Sequence, residues 1–488
     1  MTATTLGWIV FVAYVGAVVG VSVAARRKAA SMEGFAVGSR TTSPSLVGLS
    51  LAANLASAAT FVINPGLIYL YGWSGVLGYA VATPLGIFAA LIVFSKRFRR
   101  VGDRFTVLTI PQWIGDRFGS RALTLWFAAL SLLQISFLVL IVVGLAVVLR
   151  GTLGLSAPAA LLLTVGVTFG YVLLGGAAGH IRSNSIQAGV MITVALLMLG
   201  SGLPLMEGGL GAFVERLAAV GPHYASVTNP DSQLFRSLFE VVVANFVVGV
   251  AVILQPHVMS KALYLRSEAD VNRYLATAIA AASVFFAVLA VGLFARLRLT
   301  GDVLPPDQVI ATYLVEVFPP LPRAVVMLGV LAAGFSTLEG IVIALSSIFA
   351  NDVLKTLRPA AVEGGRGVRW ARGFIVALVP VTLWLAWRQT VAPSLSVAMF
   401  AQNGVYGLFA ATFVPILAGI FVPRVTAPTV AAASVTALAV HFGIYYLELG
   451  PYWNNPAVPA TLAIGAALAV MGVGMLVTRR PAPRPTEP

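Results

Sequence analysis

The sequence contains no cysteine among its 488 residues. That excludes a disulfide framework, a thiolate metal site and a thiol nucleophile. Histidine is nearly as scarce: the four are His180, His223, His257 and His441, and no two stand at metal-ligand spacing. Charge is scarce as well. Only 10% of residues are Asp, Glu, Lys or Arg against 59% hydrophobic, and the mean hydropathy is +0.94. A soluble domain could not cover its surface with so few charges, so the solvent that fits this composition is hydrocarbon.

What is abundant is apolar sequence in bilayer-crossing lengths. A hydrocarbon core about 30 Å thick takes roughly 20 apolar residues per helix. The pattern predicts an all-α membrane protein with about thirteen spans, near 6–25, 44–70, 73–95, 122–149, 156–174, 185–206, 235–259, 272–295, 323–350, 371–387, 394–422, 428–447 and 457–478. No basic segment precedes the first run, and Arg26, Arg27 and Lys28 follow it. It therefore reads as a retained helix with the N-terminus outside. Alternate loops then fall in the cytoplasm together with most of the 31 Lys and Arg residues, as the positive-inside rule requires. The net charge of +14 is thus assigned to topology and lipid headgroups, not to nucleic acid. The basic clusters Lys96 to Arg100 and Arg366 to Arg372 read as topology anchors. Residues 479–488 (RRPAPRPTEP) read as a short disordered cytoplasmic tail. A short amphipathic external helix is expected within 299–322.

Polar groups inside the spans are few, and they are the candidates for chemistry. The second span, GLSLAANLASAATFVINPGLIYLYG, has a small-residue centre from Ala52 to Ala59 with Asn54 and Ser57 as its polar members. Asn64-Pro65-Gly66 should break or kink the helix near one end. Two readings stand: close helix packing, or a discontinuous helix that exposes carbonyls to a cation. In the ninth span Ala333, Ser336 and Thr337 are spaced i, i+3, i+4 and share one face. Their hydroxyls either bond back to carbonyls four residues earlier or supply neutral oxygens to a monovalent cation. Glu339 follows one turn later. A carboxylate at that depth is expensive, so it is the candidate coupling acid: ionised beside a cation, protonated, or paired to a neighbouring helix. Glu240, nearer a span end, is expected to reach the headgroups. Further amides are Asn245 and Gln255, with His257, in the seventh span and Gln402 and Asn403 in the eleventh. Candidate substrate contacts are Asn54, Thr60, Asn64, Asn245, Gln255, Gln402 and Asn403.

Five segments together resemble the sodium:solute symporter family across essentially the whole chain. They are Ser31 to Arg40 (SMEGFAVGSR), Ala53 to Gly66, Gly175 to Gln187 (GGAAGHIRSNSIQ), Gln255 to Lys261 (QPHVMSK) and Ala332 to Leu345. The resemblance implies a leucine-transporter-like fold of two inverted five-helix repeats plus flanking helices. Its divisions are an N-terminal helix and loop (1–43), a first repeat (44–206), a second repeat (207–423), two C-terminal helices (424–478) and the tail (479–488). It also implies a sodium site formed by the carbonyls of Ala53, Ala56 and Ala333 and the hydroxyls of Ser336 and Thr337. Na+ would then be the co-transported ion, with no organic cofactor. Substrate would bind near the midplane of a functional monomer embedded in the lipid bilayer of the cell membrane.

The departures from the family pattern are informative. The Gly-Gly signature usually carries Asp where this chain has Asn184, which puts a second cation site in doubt. Leu55, Val248 and Val252 replace residues expected of proline carriers, and Leu55 and Thr60 replace those of sugar carriers. By elimination the cargo leans towards a monocarboxylate or similar organic anion. Proton coupling through Glu339 is the rival, and an amino acid or a sugar is the alternative cargo. A channel is disfavoured, since no filter-like loop or ring of charges is present, and a membrane sensor is disfavoured because the output domain expected of one does not follow residue 478. An intramembrane enzyme lacks a His-Glu-x-x-His pair, a cysteine and a Ser-base pair.

Overall fold

The computed structural model of the protein describes residues 2–37, 42–105, 107–299, 301–392 and 396–477. The expected tail, 479–488, lies outside them. Among the described residues the regular structure is entirely helical. Ten helices are long and apolar enough to cross a membrane: α1 (Ala3–Ala25), α4 (Trp73–Arg100), α5 (Arg121–Leu153), α6 (Ala157–Gly200), α9 (Glu268–Arg298), α10 (Pro320–Leu357), α11 (Arg366–Val391), α12 (Val397–Phe421), α13 (Ala427–Tyr446) and α14 (Ala457–Val477). Two bent pairs bring the number to as many as twelve. These are α2 (Pro44–Leu55) with α3 (Ala59–Tyr71), bent by 52°, and α7 (Phe239–Val252) with α8 (Pro256–Tyr264), bent by 58°.

Helix starts follow capping chemistry at the ends of the apolar runs. The hydroxyls of Thr2, Ser43, Ser156 and Ser396 accept from backbone N–H groups three residues on, and Pro44 and Pro158 occupy first-turn positions where a missing N–H costs nothing. A short helix is present within 299–322, as Val309–Val317.

The expected thirteen divides α6 into two spans. Its 44 residues would make a straight rod of about 66 Å, more than twice a bilayer core. It is not straight: Gly176, at φ 50° and ψ −155°, interrupts the helical backbone. The segments on either side of α6 both approach the same short helix, Val309–Val317. Ahead of α6, a Cβ on Gly151 in the last turn of α5 would lie 3.4 Å from Ala311, and just past its far end Ser201 Oγ is 2.8 Å from Tyr313 Oη. Ala157–Gly200 is therefore a hairpin of two helices.

The break in the second span falls earlier than Asn64-Pro65-Gly66. It comes at Ala56, with φ −93° and ψ 81°, where α2 ends. Pro65 instead sits in the first turn of the straight part of α3. Gly66 serves another purpose: a Cβ there would collide with the carbonyl of Pro306, so the loop carrying Pro306 can close onto α3 only over a glycine. The break between α7 and α8 follows the ordinary rule. Gln255 takes ψ 132° because Pro256 disfavours helix at the residue before it.

Two charged features differ from their sequence reading. Glu240 does not reach headgroups; it is fully buried, bound by the Arg236 guanidinium (2.8 Å) and Asn455 Nδ2 (3.0 Å). The basic cluster at the end of α4 is more than an anchor. Arg99 is buried and donates to the carbonyls of Leu265 (2.9 Å) and Arg266 (3.0 Å), while Arg100 grips Glu268 through two bonds of 2.7 and 2.6 Å. Together they clamp α4 to the corner between α8 and α9. At the centre stands α10, whose most apolar stretch is 94% buried against 28% for α1, α11, α13 and α14. The hairpin α6 packs along it, and α2 crosses it at the break.

Candidate functional site

The crossing of α2 and α10 gathers oxygens. Ser336 Oγ lies 2.9 Å from the carbonyl oxygen of Ala53 and 2.8 Å from that of Ala333. Thr337 Oγ1 lies 3.1 Å from the carbonyl of Asn54 and 3.4 Å from that of Ala333. Each hydroxyl thus bonds back along its own helix and also reaches across to α2. Ala56, at the break, has its backbone outside the helical region, which turns its carbonyl out of the helical bond pattern. All five residues, Ala53, Ala56, Ala333, Ser336 and Thr337, are fully buried. The cluster is composed of neutral oxygens only. That suits a monovalent cation, which needs oxygen ligands without two opposing charges.

One turn along α10, Glu339 is 1% exposed and heavily bonded. Tyr171 Oη donates to Oε1 (2.5 Å), as does Gln187 Nε2 (3.0 Å); Ser183 Oγ donates to Oε2 (2.8 Å), and His180 Nδ1 lies 3.0 Å from the same oxygen. Two donors converge on each oxygen, which is the coordination of a carboxylate held by one helix hairpin. Gln187 Nε2 also donates to Tyr14 Oη (2.8 Å), joining α1 to the network. His180 Nε2 faces Asn184 Nδ2 at 3.5 Å, and Asn184 Nδ2 donates to Asn54 Oδ1 (2.6 Å). Asn54 therefore touches both clusters, through its carbonyl to Thr337 and through its side chain to Asn184. Beyond it, buried Lys261 donates to Ser50 Oγ (2.7 Å).

The candidate substrate contacts do not converge on one point. Asn54 belongs to the network above, and its Nδ2 also donates to the carbonyl of His257 (3.4 Å). Thr60 is buried in the first turn of α3, and Asn64 is half-buried there. Asn245 is used between helices: its Nδ2 donates to the Glu240 carbonyl (2.8 Å) and its Oδ1 accepts from Thr83 (3.3 Å). Gln255 lies at the α7–α8 break with its Nε2 on the Val252 carbonyl (3.2 Å). Gln402 Nε2 donates to Tyr79 Oη (3.2 Å), whereas Asn403 turns to the flanking helix α13 and donates to Tyr446 Oη (3.1 Å).

The residues holding Glu339 escaped the sequence reading, although a signal existed. His180, Ser183, Asn184 and Gln187 fall at i, i+3, i+4 and i+7, a polar stripe in an apolar helix. Gln134 was also overlooked; its Nε2 is 3.1 Å from His257 Nδ1.

Two helices broken near mid-length, with exposed carbonyls answered by hydroxyls of a central helix, define a secondary transporter of the discontinuous-helix type. The sodium:solute symporter family model matches residues 35–436. Similar proteins over nearly full length are the sodium/pantothenate symporters of Haemophilus influenzae (26% identical, 92% of this chain and 91% of that one) and Escherichia coli (26%, 92% and 93%). The sodium/proline symporter of Salmonella typhimurium is 24% identical over 78% of each chain. Among solved structures, a substrate-bound, outward-open Na+-coupled sialic acid symporter superposes with TM-score 0.82 at 16% identity, covering 98% of this chain and 99% of that one. The chain belongs to the sodium:solute symporter family. It is a multi-pass membrane protein of leucine-transporter-like fold, and it carries a small organic solute in symport with sodium.

Proposed function

We propose that the co-transported sodium binds at the α2–α10 crossing, on the carbonyls of Ala53, Ala56 and Ala333 and the hydroxyls of Ser336 and Thr337. The observation that carries this reading is the placement of both hydroxyls on carbonyls freed by the break in α2. The cargo is a monocarboxylate with further polar groups, of which pantothenate is the test case. Two sodium/pantothenate symporters match this chain over more than nine-tenths of its length, and the chain lacks the residues expected of proline and sugar carriers.

The working cycle is alternating access with no chemical step. A cavity of about 880 Å³ opens beside α3, lined by Ile63, Val143, Arg150, Asp307, Gln308 and Glu316. With the N-terminus outside, this cavity is extracellular and the protein faces outward. Burial lifts the Asp307 carboxyl above the usual carboxylate range. Counting the α6 hairpin as two crossings gives thirteen spans, an external N-terminus and a cytoplasmic C-terminus. The similar bends of α2–α3 and α7–α8, 52° and 58°, support inverted repeats over 44–206 and 207–423 in a functional monomer. Voltage supplies about 2.3 kcal/mol per inward charge at 100 mV.

Proteoliposomes with sodium and proton gradients imposed separately test the reading. Labelled pantothenate should accumulate under an inward sodium gradient and not under a proton gradient alone. Uptake driven equally by protons without sodium would overturn the ion assignment. Absence of pantothenate uptake, with uptake of proline or glucose instead, would overturn the cargo.

A further inference from the structure

The α7–α8 break holds polar atoms that the ion site does not use. His257 opens the inner half of that broken helix and is 2% exposed. Three other helices close around it. Asn54 of α2 bonds its carbonyl, Gln134 of α5 meets its ring, and a Cβ on Gly340 of α10 would lie 3.4 Å from its own Cβ. His257 therefore stands where both broken helices meet α5 and α10. In transporters built on discontinuous helices, that midplane crossing is where ligands are held.

The ring chemistry follows from its neighbour. Gln134 is itself fully buried and presents its amide nitrogen, a donor only, to Nδ1 at 3.1 Å. Nδ1 must then accept, which makes the imidazole neutral and puts its proton on Nε2. Among the described residues, neither His257 Nε2 nor Gln134 Oε1 has a hydrogen-bond partner, and Gln255 Oε1, two residues before His257 at the same break, has none either. A buried polar group left unpaired costs about 1–3 kcal/mol, so these atoms are expensive unless something meets them in the transport cycle. They amount to one N–H donor and two carbonyl acceptors.

The nearby charges favour an anion on the donor. Lys261, one turn further along α8, is buried with its ammonium on Ser50. Glu339, the carboxylate of this region, already has two donors on each oxygen.

We propose that His257, held in its Nε2–H tautomer by Gln134, donates to the carboxylate of the substrate, while the carbonyl oxygens of Gln134 and Gln255 accept from its hydroxyl or amide N–H groups. The substrate class is a hydroxylated or amide-bearing monocarboxylate. This rests on the monocarboxylate reading of the preceding section and narrows it.

The test uses purified full-length protein and two probes, pantothenate and panthenol, which carries a hydroxyl in place of the carboxylate. Affinity is read from sodium-dependent thermal stabilisation. The wild type should prefer pantothenate by about tenfold or more, the scale of one hydrogen bond to a charged group. His257→Leu should abolish that preference, leave panthenol binding within about twofold, and keep the sodium-only stabilisation, which also shows that the variant folds. His257→Gln, which retains an N–H, should recover most of the preference. Gln134→Glu should lose it, because a carboxylate at Nδ1 draws the ring proton there and turns Nε2 into an acceptor. A His257→Leu protein that still prefers pantothenate, or that weakens both probes alike, overturns the assignment and leaves a pair bridged by water. A wild type stabilised by neither probe, nor by lactate or pyruvate, overturns the monocarboxylate reading and the His257 assignment with it.

Discussion

Ser336 and Thr337 show how a residue pair can be read for ion binding separately from stability. A side-chain hydrogen bond between membrane helices is worth about 0.6 kcal/mol on average. Losing the bonds of both hydroxyls should therefore not unfold the protein. Ser336→Ala with Thr337→Ala is expected to lower the melting temperature by only a few degrees while raising the half-saturating sodium concentration by about tenfold or more. Sodium titration of transport checks it; an unchanged sodium dependence would move the ion elsewhere. Glu339 should behave in the opposite way. Glu339→Ala leaves Tyr171, His180, Ser183 and Gln187 facing a void, at a cost of about 3–5 kcal/mol, and should be poorly recovered after solubilisation. Glu339→Gln keeps the shape but turns one oxygen into a donor facing donors, so it should be intermediate, as size-exclusion yield and melting temperature would show. The Ser336–Thr337 pair was legible in the sequence because helix spacing alone puts it on one face. The partners of Glu339 were less so, since a polar stripe shows which face is buried but not which of thirteen expected spans it meets. Gln134 gave no signal at all: a lone amide ahead of an apolar run has no period to betray it.

At the scale of the element, glycine and proline carried more meaning than apolar length did. Apolar length located nearly every span, and the two breaks show its limit. Pro256 announces the α7–α8 break directly, but the α2 break has no proline or glycine and depends on tertiary contacts with α10. Asn64-Pro65-Gly66 misled because proline is as much at home in the first turn of a helix as at its end. Gly176 makes the clearest test. Its φ of 50° is a conformation that L side chains rarely adopt, and a Cβ there would lie 2.8 Å from Phe35 Cδ2. Gly176→Ala should cost at least about 1 kcal/mol from the backbone alone, and the collision with Phe35 adds to it. Gly189→Ala, on the same hairpin and facing open space, should be neutral or stabilising by up to about 1 kcal/mol. Thermal unfolding of the two variants side by side separates a turn requirement from a general intolerance of the hairpin.

For the whole molecule, the decisive question is whether that hairpin crosses the membrane twice, because every later span changes direction with the answer. Charge asymmetry in the sequence favours two crossings, and the approach of both segments flanking the hairpin to Val309–Val317 argues the same way from geometry. The lack of native cysteine makes the experiment clean, since each introduced thiol is the sole target for a membrane-impermeant maleimide. Ser156 and Leu210 lie exposed just outside the two ends of the hairpin, and Glu363 lies exposed between α10 and α11. Two crossings predict that Ser156→Cys and Leu210→Cys are labelled from the same face of intact cells, the outer one, while Glu363→Cys reacts only after permeabilisation. A single crossing would put Ser156 and Leu210 on opposite faces, leaving one of them protected until the membrane is opened. The first pattern gives an odd number of spans, with the cavity beside Arg150 open to the exterior and the C-terminus in the cytoplasm. The second would put the two termini on the same side and reverse the sidedness of every loop after the hairpin. The basic clusters after α10 would then face outward, against the charge rule that governs insertion. Because sodium enters from outside, that labelling pattern also decides which half of the transport cycle this conformation represents.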